Sequence, residues 1–167
     1  MAKKFTRGLQ SLKFAPASTD GTMPTEGLVA VDWSKEGSVT INIGEAEETK
    51  INIEEADTAL RVLYGSRDVN ITAEIYNTSL DSMAQFFGGE VAVSEWTPDA
   101  EMAAENQAVE LTTRSDSGKA MKINIPAAAI MASMGGNLTK KDGLTIKLKI
   151  TPLIVVAGTP PWTWEEV

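Results

Sequence analysis

The side chains that could carry out chemistry in this chain are mainly carboxylates, since it has 23 Asp and Glu residues but no histidine and no cysteine. The densest group lies between Glu45 and Asp57. Two facing carboxylates can act as general acid and base, and a tight loop of them can bind calcium. The calcium-loop pattern D-x-[DN]-x-[DN]-G is missing, and no spacing pairs two acids for catalysis. A solvated acidic surface is therefore the favoured interpretation.

The missing residue types restrict the possible chemistry further. Without histidine the chain lacks the commonest general base and metal ligand, and without cysteine it lacks thiolates and disulfides. Gly118-Lys119 has neither the upstream glycine nor the following Ser or Thr of a P-loop. The net charge of −8 argues against tight nucleic-acid binding, because phosphate contacts come from Lys and Arg. We expect no enzymatic activity, cofactor or metal; an enzyme would need a deep pocket with two facing acids.

Aromatic and apolar residues near the C-terminus could take part in binding. Trp162 and Trp164 lie on a Pro-rich tail (157–167) that we expect to be irregular, and they either fold back on their own domain or dock on a neighbour. The continuous apolar run Leu153, Ile154, Val155 and Val156 predicts burial on both faces or against a partner.

The central structural unit is a strand followed directly by a helix. Alternating apolar residues predict a half-buried strand at 69–76. Leu80, Met83, Ala84 and Phe87 then form a helical stripe, which predicts one short helix at about 79–87 lying against a sheet. We expect Thr78 to cap it, with Asp81 as its partner, and Gly88-Gly89 to end it.

The rest of the chain predicts strands and loops. Strands are expected at 9–14, 28–33 and 91–96, a short strand or turn at 59–64, and a helical turn is possible at 99–106. Hairpins are expected between 39–43 and 49–53, with Glu45, Glu47 and Glu48 at the tip, and between 109–113 and 121–125. Residues 127–134 fit a strand or a helix, and we favour a strand that pairs through Asp142-Gly143 with 144–150. Residues 15–27 form a long loop, either a surface excursion or an arm reaching a neighbouring subunit.

These elements predict a single domain spanning residues 1–167, mainly β, with an antiparallel β-sandwich or half-barrel and one short flanking α-helix. No apolar run approaches the ~20 residues of a membrane span, and the basic N-terminus lacks the apolar block of a signal peptide. We therefore expect no membrane association.

The order of elements resembles the major tail tube proteins of long-tailed bacteriophages. The resemblance rests on Leu12-Lys13-Phe14-Ala15-Pro16 and its Asp/Gly/Thr loop, the paired strands, the strand and helix at 69–89, Ile123-Asn124-Ile125-Pro126-Ala127 and the strand at 144–150. It implies hexameric rings stacked into a tube that conducts DNA and whose wall is a continuous sheet built from several subunits. It also implies a structural protein of the virion tail, made in the host cytoplasm, with copies of itself and other tail proteins as partners and DNA only in transit.

From this resemblance and the residues together we expect inter-subunit contacts at four places. They are the N-terminal loop with Phe14, Pro16 and Met23; the hairpin with Glu45, Glu47 and Glu48; the run Leu153, Ile154, Val155 and Val156; and Trp162 with Trp164. The alternative is a monomeric β-sandwich that binds a glycan or another virion protein, with tryptophans as a stacking platform.

Overall fold

The computed structural model describes residues 7–51, 61–101, 104–115 and 118–167. The chain is mainly β with one short helix, which confirms the expected class. In chain order the elements are β1 (Arg7–Pro16), β2 (Val29–Ala30), β3 (Thr40–Ile43), β4 (Glu48–Ile51), β5 (Arg61–Tyr64), β6 (Val69–Ile75), α1 (Leu80–Phe87), β7 (Glu90–Ala92), β8 (Glu95–Thr97), β9 (Gln107–Arg114), β10 (Met121–Gly135), β11 (Thr145–Pro152) and β12 (Thr163–Glu166).

The main sheet is antiparallel and follows the order β2-β1-β9-β10-β11-β6-β3, with β12 also paired to β10. Strand β10 is long and changes partners along its length, because its register with β9 shifts between Ile125 and Ala128, around Pro126. Its first part pairs with β9 and β12, and its second part pairs with β11. Proline at a bulge fits strand geometry, since proline cannot donate to the ladder. The sheet therefore turns at Pro126 instead of ending there.

Both parts of the sheet contribute to one hydrophobic core. Leu12 and Val109 come from the first part, and Ile71 and Ile150 from the second, all within a single buried cluster. The segment between β2 and β3 joins the two ends of the sheet. Val31 N–H donates to Leu12 O at 2.8 Å, and Trp33 O accepts from Tyr76 N–H at 2.9 Å. These contacts fold the sheet into a half-barrel around the core.

Helix α1 covers the core as expected, but the cap and the buried face differ from the predictions. Ser79, not Thr78, is the N-cap, and its side chain accepts from Ser82 N–H at 3.3 Å. Phe86 is the most deeply buried helical residue, and its ring meets Phe14 edge-on with centroids 5.2 Å apart. Leu80 is only half-buried, because it lies at the first position of the helix.

The hairpin expected between 39–43 and 49–53 is wrong. Strand β3 pairs with β6, and β4 pairs with β5, so the chain runs out through β3 and β4 and returns through β5 and β6. The two ladders are connected by Gly44 N–H donating to Asp68 O and Gly65 N–H donating to Glu47 O, both at 2.7 Å. We call the β4–β5 ladder with its connecting residues 44–47 and 65–68 the arm.

Other local predictions were confirmed or need correction. The hairpins β9–β10 and β10–β11 are present, and residues 127–134 form a strand. The strand expected at 28–33 shrinks to two residues, and 91–96 is a tight hairpin of β7 and β8 turning at Val93-Ser94. The described parts of 99–106 contain no helix. The tail, expected to be irregular, contains β12 because Pro152 ends β11 and leaves the adjoining edge of β10 open.

Candidate assembly surfaces

Both ends of the β10-β11-β6-β3 part of the sheet are open edges. Within the described residues, β3 pairs only with β6, and β10 after Ala128 pairs only with β11. Across this part, Ile41, Ile71, Ile150 and Ile130 form one row on the core face. The two central isoleucines are fully buried, whereas Ile41 and Ile130 on the open strands are only partly buried. A further strand at either edge would cover the exposed part of these side chains and pair the free backbone groups.

The opposite face of the same four strands is solvated and mostly polar, with Met131 as an exposed apolar residue on it. Thr40, Thr72, Lys149 and Met131 form a row across it, and Glu74 lies opposite Lys147. Lys35 Nζ contacts Glu74 Oε2 at 3.1 Å, so this acid is shared between two lysines. The hydrogen bond that Lys35 donates to Glu74 raises the pKa of Lys35 above its ordinary value. This part of the sheet therefore has one face in the core and one polar, solvated face.

The arm is largely exposed to solvent. Seven of the eight residues in its ladder are exposed, including Ile51, Leu63 and Tyr64, the last 73% exposed. An isolated two-stranded ladder is marginally stable in water, so covering this arm would stabilise it. Glu45, Glu47 and Glu48 are exposed but lie at its base, not at a hairpin tip as predicted. Glu54, Glu55 and Asp57, part of the predicted acidic group, lie outside the described residues.

The N-terminal loop folds against its own subunit. Phe14 is buried in the core and is therefore unavailable to a neighbour, whereas Pro16 is exposed and Met23 half-buried. Ser18 N–H donates to Pro126 O at 2.9 Å. Asp20 accepts hydrogen bonds from Ser18 and Thr22, which lower its pKa to about 2. The loop is thus ordered locally by its own side chains.

The C-terminal segment remains partly uncovered. Leu153 N–H donates to Ala127 O at 2.9 Å, but the apolar run forms no strand. Ile154 and Val156 are exposed, while Leu153 and Val155 are half-buried, so the burial on both faces that we considered does not occur within the subunit.

The two tail tryptophans both fold back on their own subunit. Trp162 packs against the core, and Trp164 lies opposite Ile123 in the β10–β12 ladder while remaining partly exposed.

A buried ion-pair cluster on β1, β9 and β10 was missed in the sequence. Glu110 is buried, and its carboxylate contacts Lys13 Nζ at 2.8 Å and Lys122 Nζ at 2.9 Å. Burial by itself would raise the pKa of Glu110, but the hydrogen bonds from Lys13 and Lys122 outweigh burial and hold the pKa below its ordinary value. Lys122 also lies 3.8 Å from Glu165, and Asn124 Nδ2 donates to Glu165 at 2.7 Å. The cluster therefore links β12 to the sheet.

A cavity of about 910 Å³ opens between the start of β1, the end of β9 and residues 31–41. Its lining combines apolar side chains, such as Leu9 and Ile41, with Arg114 and the exposed carboxylates of Asp32 and Glu36. Trp33 lies in the lining with 74% of its surface exposed and a backbone φ of 63°. No group of three or more potential metal-ligating side chains occurs in the described ranges.

Across the part of the chain that the structure describes, no helix is long and apolar enough to cross a lipid bilayer. Neither a protein-family model nor a curated protein sequence matches this chain.

Proposed function

We propose that this chain is a structural subunit that polymerises with copies of itself, as the tail tube of a long-tailed bacteriophage. In this proposal hexameric rings stack into a tube of the virion tail, and DNA passes through the tube during ejection. The subunit performs no catalysis and needs no cofactor. Its partners are other copies and other tail proteins.

The observation that carries the proposal is the pair of open edges on the β10-β11-β6-β3 strands. Free edge strands promote uncontrolled association, and soluble monomers usually block or cover them. Here the two edges are at opposite ends of the same four-stranded unit, so the edge of β3 on one copy can pair with β10 after Ala128 on the next. Such a head-to-tail contact generates a ring if the rotation closes. Repetition of this contact would produce a continuous wall with one apolar and one polar face.

The arm supports the same conclusion independently. It projects from the β3–β6 ladder and carries exposed Ile51, Leu63 and Tyr64 outside the core. Ile51 and Leu63 lie diagonally opposite each other on one face of the ladder and form a contiguous exposed apolar patch, which is typical of interaction sites, and tyrosine is enriched at interfaces. A neighbouring copy would bury these side chains and stabilise the ladder.

Backbone geometry provides a selective test of edge pairing. Gly44 forms a hydrogen-bonded pair with Asp68, and hydrogen-bonded pairs alternate along an antiparallel ladder, so the N–H of Ile43 points away from β6 towards the open edge. Ile43→Pro removes this donor while leaving the β3–β6 hydrogen bonds in place. Ile43→Thr is the matched control, because it removes apolar surface but keeps the N–H group.

We expect the unmodified protein to show rings or tubes in negative-stain electron microscopy and fast-sedimenting species in the ultracentrifuge. Ile43→Pro should remain folded by circular dichroism and sediment as a monomer, whereas Ile43→Thr should still assemble. A monomer at all concentrations for the unmodified chain would refute the proposed function. If Ile43→Pro assembles to the same extent as Ile43→Thr, the proposed pairing of the β3 edge with a neighbouring copy is refuted.

The cavity beside Trp33 favours a second candidate function, a monomeric module that binds a glycan. An exposed tryptophan at the rim of a cavity with mixed polar and apolar lining can stack on a sugar while polar groups bind its hydroxyls. Titration with oligomers of N-acetylglucosamine would test this function. If the chain is a glycan-binding module, it should be a monomer in solution, and Trp33→Ala should abolish binding of the oligosaccharide. Oligosaccharide binding that is unaffected by Trp33→Ala would exclude Trp33 as the stacking residue.

A further inference from the structure

The strand pair β10–β11 and its connecting loop carry an unusual concentration of lysine for an acidic protein. Of the 15 Lys and Arg residues in a chain of net charge −8, four lysines fall within residues 140–149. Among the described residues only Lys147 of these four has an ion-pair partner, Glu74 at 3.9 Å. Lys140, Lys141 and Lys149 therefore present their charge to solvent.

Exposed apolar side chains lie among these lysines. Met131 is 70% exposed and lies directly opposite Lys149 in the β10–β11 ladder, so both side chains are on the same face. Leu138 is 80% exposed in the loop that carries Lys140 and Lys141. We define the lysine surface by these residues: Met131, Leu138, Lys140, Lys141, Lys147 and Lys149. A partner for it must offer negative charge and an apolar group together.

The β7–β8 hairpin of the same chain has both properties. No Lys or Arg occurs between Arg67 and Arg114, whereas Glu90 and Glu95 lie on the hairpin and further acids follow it at positions 99, 101 and 105. Val93 at its turn is fully exposed and adopts a φ of 53°, which is uncommon for a β-branched residue. The hairpin thus presents an apolar tip flanked by carboxylates.

The two surfaces lie at separate places on the subunit. The hairpin is fixed beside the C-terminus of α1, where Trp96 Nε1–H donates to Gly88 O at 2.9 Å. Gln85 in the same helix donates to Gln107, which pairs with Ala128 of β10. Met131, the residue of the lysine surface nearest to Ala128 on β10, lies three residues further along, about 10 Å at the rise of a strand, and the loop begins after Gly135, about 23 Å from Ala128. One subunit can therefore use both surfaces at the same time.

From these observations we propose that the lysine surface of one copy binds the β7–β8 hairpin of a second copy, with Val93 packing against the exposed apolar side chains of that surface. The contact rests on the proposed function, because it assumes that the chain associates with itself. Opposite charge on the two surfaces orients the copies head to tail, and such a contact repeats into a ring or a longer assembly. Duplex DNA would complement the lysines, but its phosphates would leave Met131 and Leu138 without an apolar partner.

The absence of cysteine from the sequence permits a direct test by disulfide cross-linking. Val93→Cys and Leu138→Cys are made separately on full-length chains of different tag length, mixed under assembly conditions and oxidised. We expect the mixed disulfide to be the main covalent dimer on a non-reducing gel. A matched mixture of Val93→Cys with Glu36→Cys, an exposed residue outside both surfaces, should give only background cross-linking.

Charge exchange provides a second test that does not depend on oxidation. Lys140→Glu with Lys141→Glu, or Glu90→Lys with Glu95→Lys, should raise the protein concentration needed for assembly by roughly tenfold or more, because like charges then meet. Combining all four substitutions should restore assembly. Asp32→Lys with Glu36→Lys is the control for total charge, and we expect it to leave assembly unchanged.

The outcomes separate this contact from the proposed function. If the protein assembles and neither charge exchange weakens assembly, the contact is overturned but polymerisation is not. The same holds if Val93→Cys forms disulfides only with another Val93→Cys chain. A monomer under all conditions would overturn both proposals. Binding of a duplex DNA oligonucleotide through Lys140 and Lys141, without the mixed disulfide, would overturn the second copy as the occupant.

Discussion

Replacing Glu110 by glutamine tests how β1, β9 and β10 are held together. The substitution keeps the shape of the side chain but removes the charge that holds Lys13 at 2.8 Å and Lys122 at 2.9 Å. Breaking a buried ion pair costs about 3–5 kcal/mol. The lysines keep 35% and 27% of their side-chain surface exposed and can turn towards water, so we expect a loss nearer ~2–3 kcal/mol in the free energy of unfolding. For a domain of this size that loss corresponds to about 5–10 °C in Tm.

The pH dependence of stability distinguishes a charge effect from a packing effect. The pKa of Glu110 is lower in the folded protein than its ordinary value, so its contribution is fully present above the unfolded pKa of about 4.3 and is lost as the pH falls through the folded pKa. The difference in unfolding free energy between the unmodified protein and Glu110→Gln should therefore be largest near neutral pH and shrink in acid. Urea unfolding followed by tryptophan fluorescence from pH 7 down to pH 3 measures it.

Glu74→Gln is the matched control for Glu110→Gln. Glu74 also contacts two lysines, Lys35 at 3.1 Å and Lys147 at 3.9 Å, but it lies on the solvated face. Exposed pairs contribute about 0–1 kcal/mol, so this variant should lose far less stability. Equal losses in the two variants, or a difference that does not change with pH, would refute the account of Glu110 as a buried ionic centre.

Substitutions at three positions and one truncation test other parts of the structure. Phe86→Ala should cost about 3–5 kcal/mol in urea unfolding, because it empties the centre of the core; less than 1 kcal/mol would contradict that position. Gly89→Ala should destabilise the protein by about 2 kcal/mol or more, since φ is +94° and a Cβ would lie 2.3 Å from Thr97 O; an unchanged Tm would contradict this packing. Ser79→Ala should cost about 1 kcal/mol through loss of the helix cap, whereas Ser79→Asp should retain stability. Deleting residues 163–167 removes β12 with the partly exposed Trp164 but keeps Trp162 in the core, so we expect the variant to stay folded by circular dichroism and to assemble more weakly in the ultracentrifuge. Undiminished assembly would exclude the tail from the interface.

Alternation along the sequence was sufficient to locate most strands but not to pair them. Residues 39–43 and 49–53 both alternate, and their short separation favoured a hairpin. In the described residues β3 and β4 instead follow each other on the outgoing run of the chain, because β3 pairs with β6 and β4 pairs with β5. The alternation of apolar residues indicates which face of a strand is apolar, but it does not indicate which other strand pairs with it.

The surfaces were harder to predict than the core. Phe14 was expected at an inter-subunit contact because it lies at the start of the N-terminal loop, in a segment that resembles tail tube proteins. Its ring is instead buried against Phe86. Conversely, Glu110 belongs to an alternating strand whose polar residues were expected to face solvent, and it is buried by lysines from two neighbouring strands. Both positions depend on contacts between residues distant in the chain, which no local pattern encodes.

The uncovered features of the subunit are distributed in a way that favours ordered assembly over indiscriminate aggregation. Within the described residues, open edges occur at β3 and at β10 after Ala128, the arm extends from the β3 side, and the lysine surface extends from the β10 side. Aggregation requires only that an edge meet any other edge, whereas in the proposed assembly these features would favour one orientation of pairing. The acidic hairpin would be repelled by another acidic hairpin and attracted by lysines, so charge would select head-to-tail contacts. A two-fold contact of β3 with β3 would leave the β10 edge of each copy unpaired, whereas the head-to-tail contact covers both edges of every copy in a closed ring.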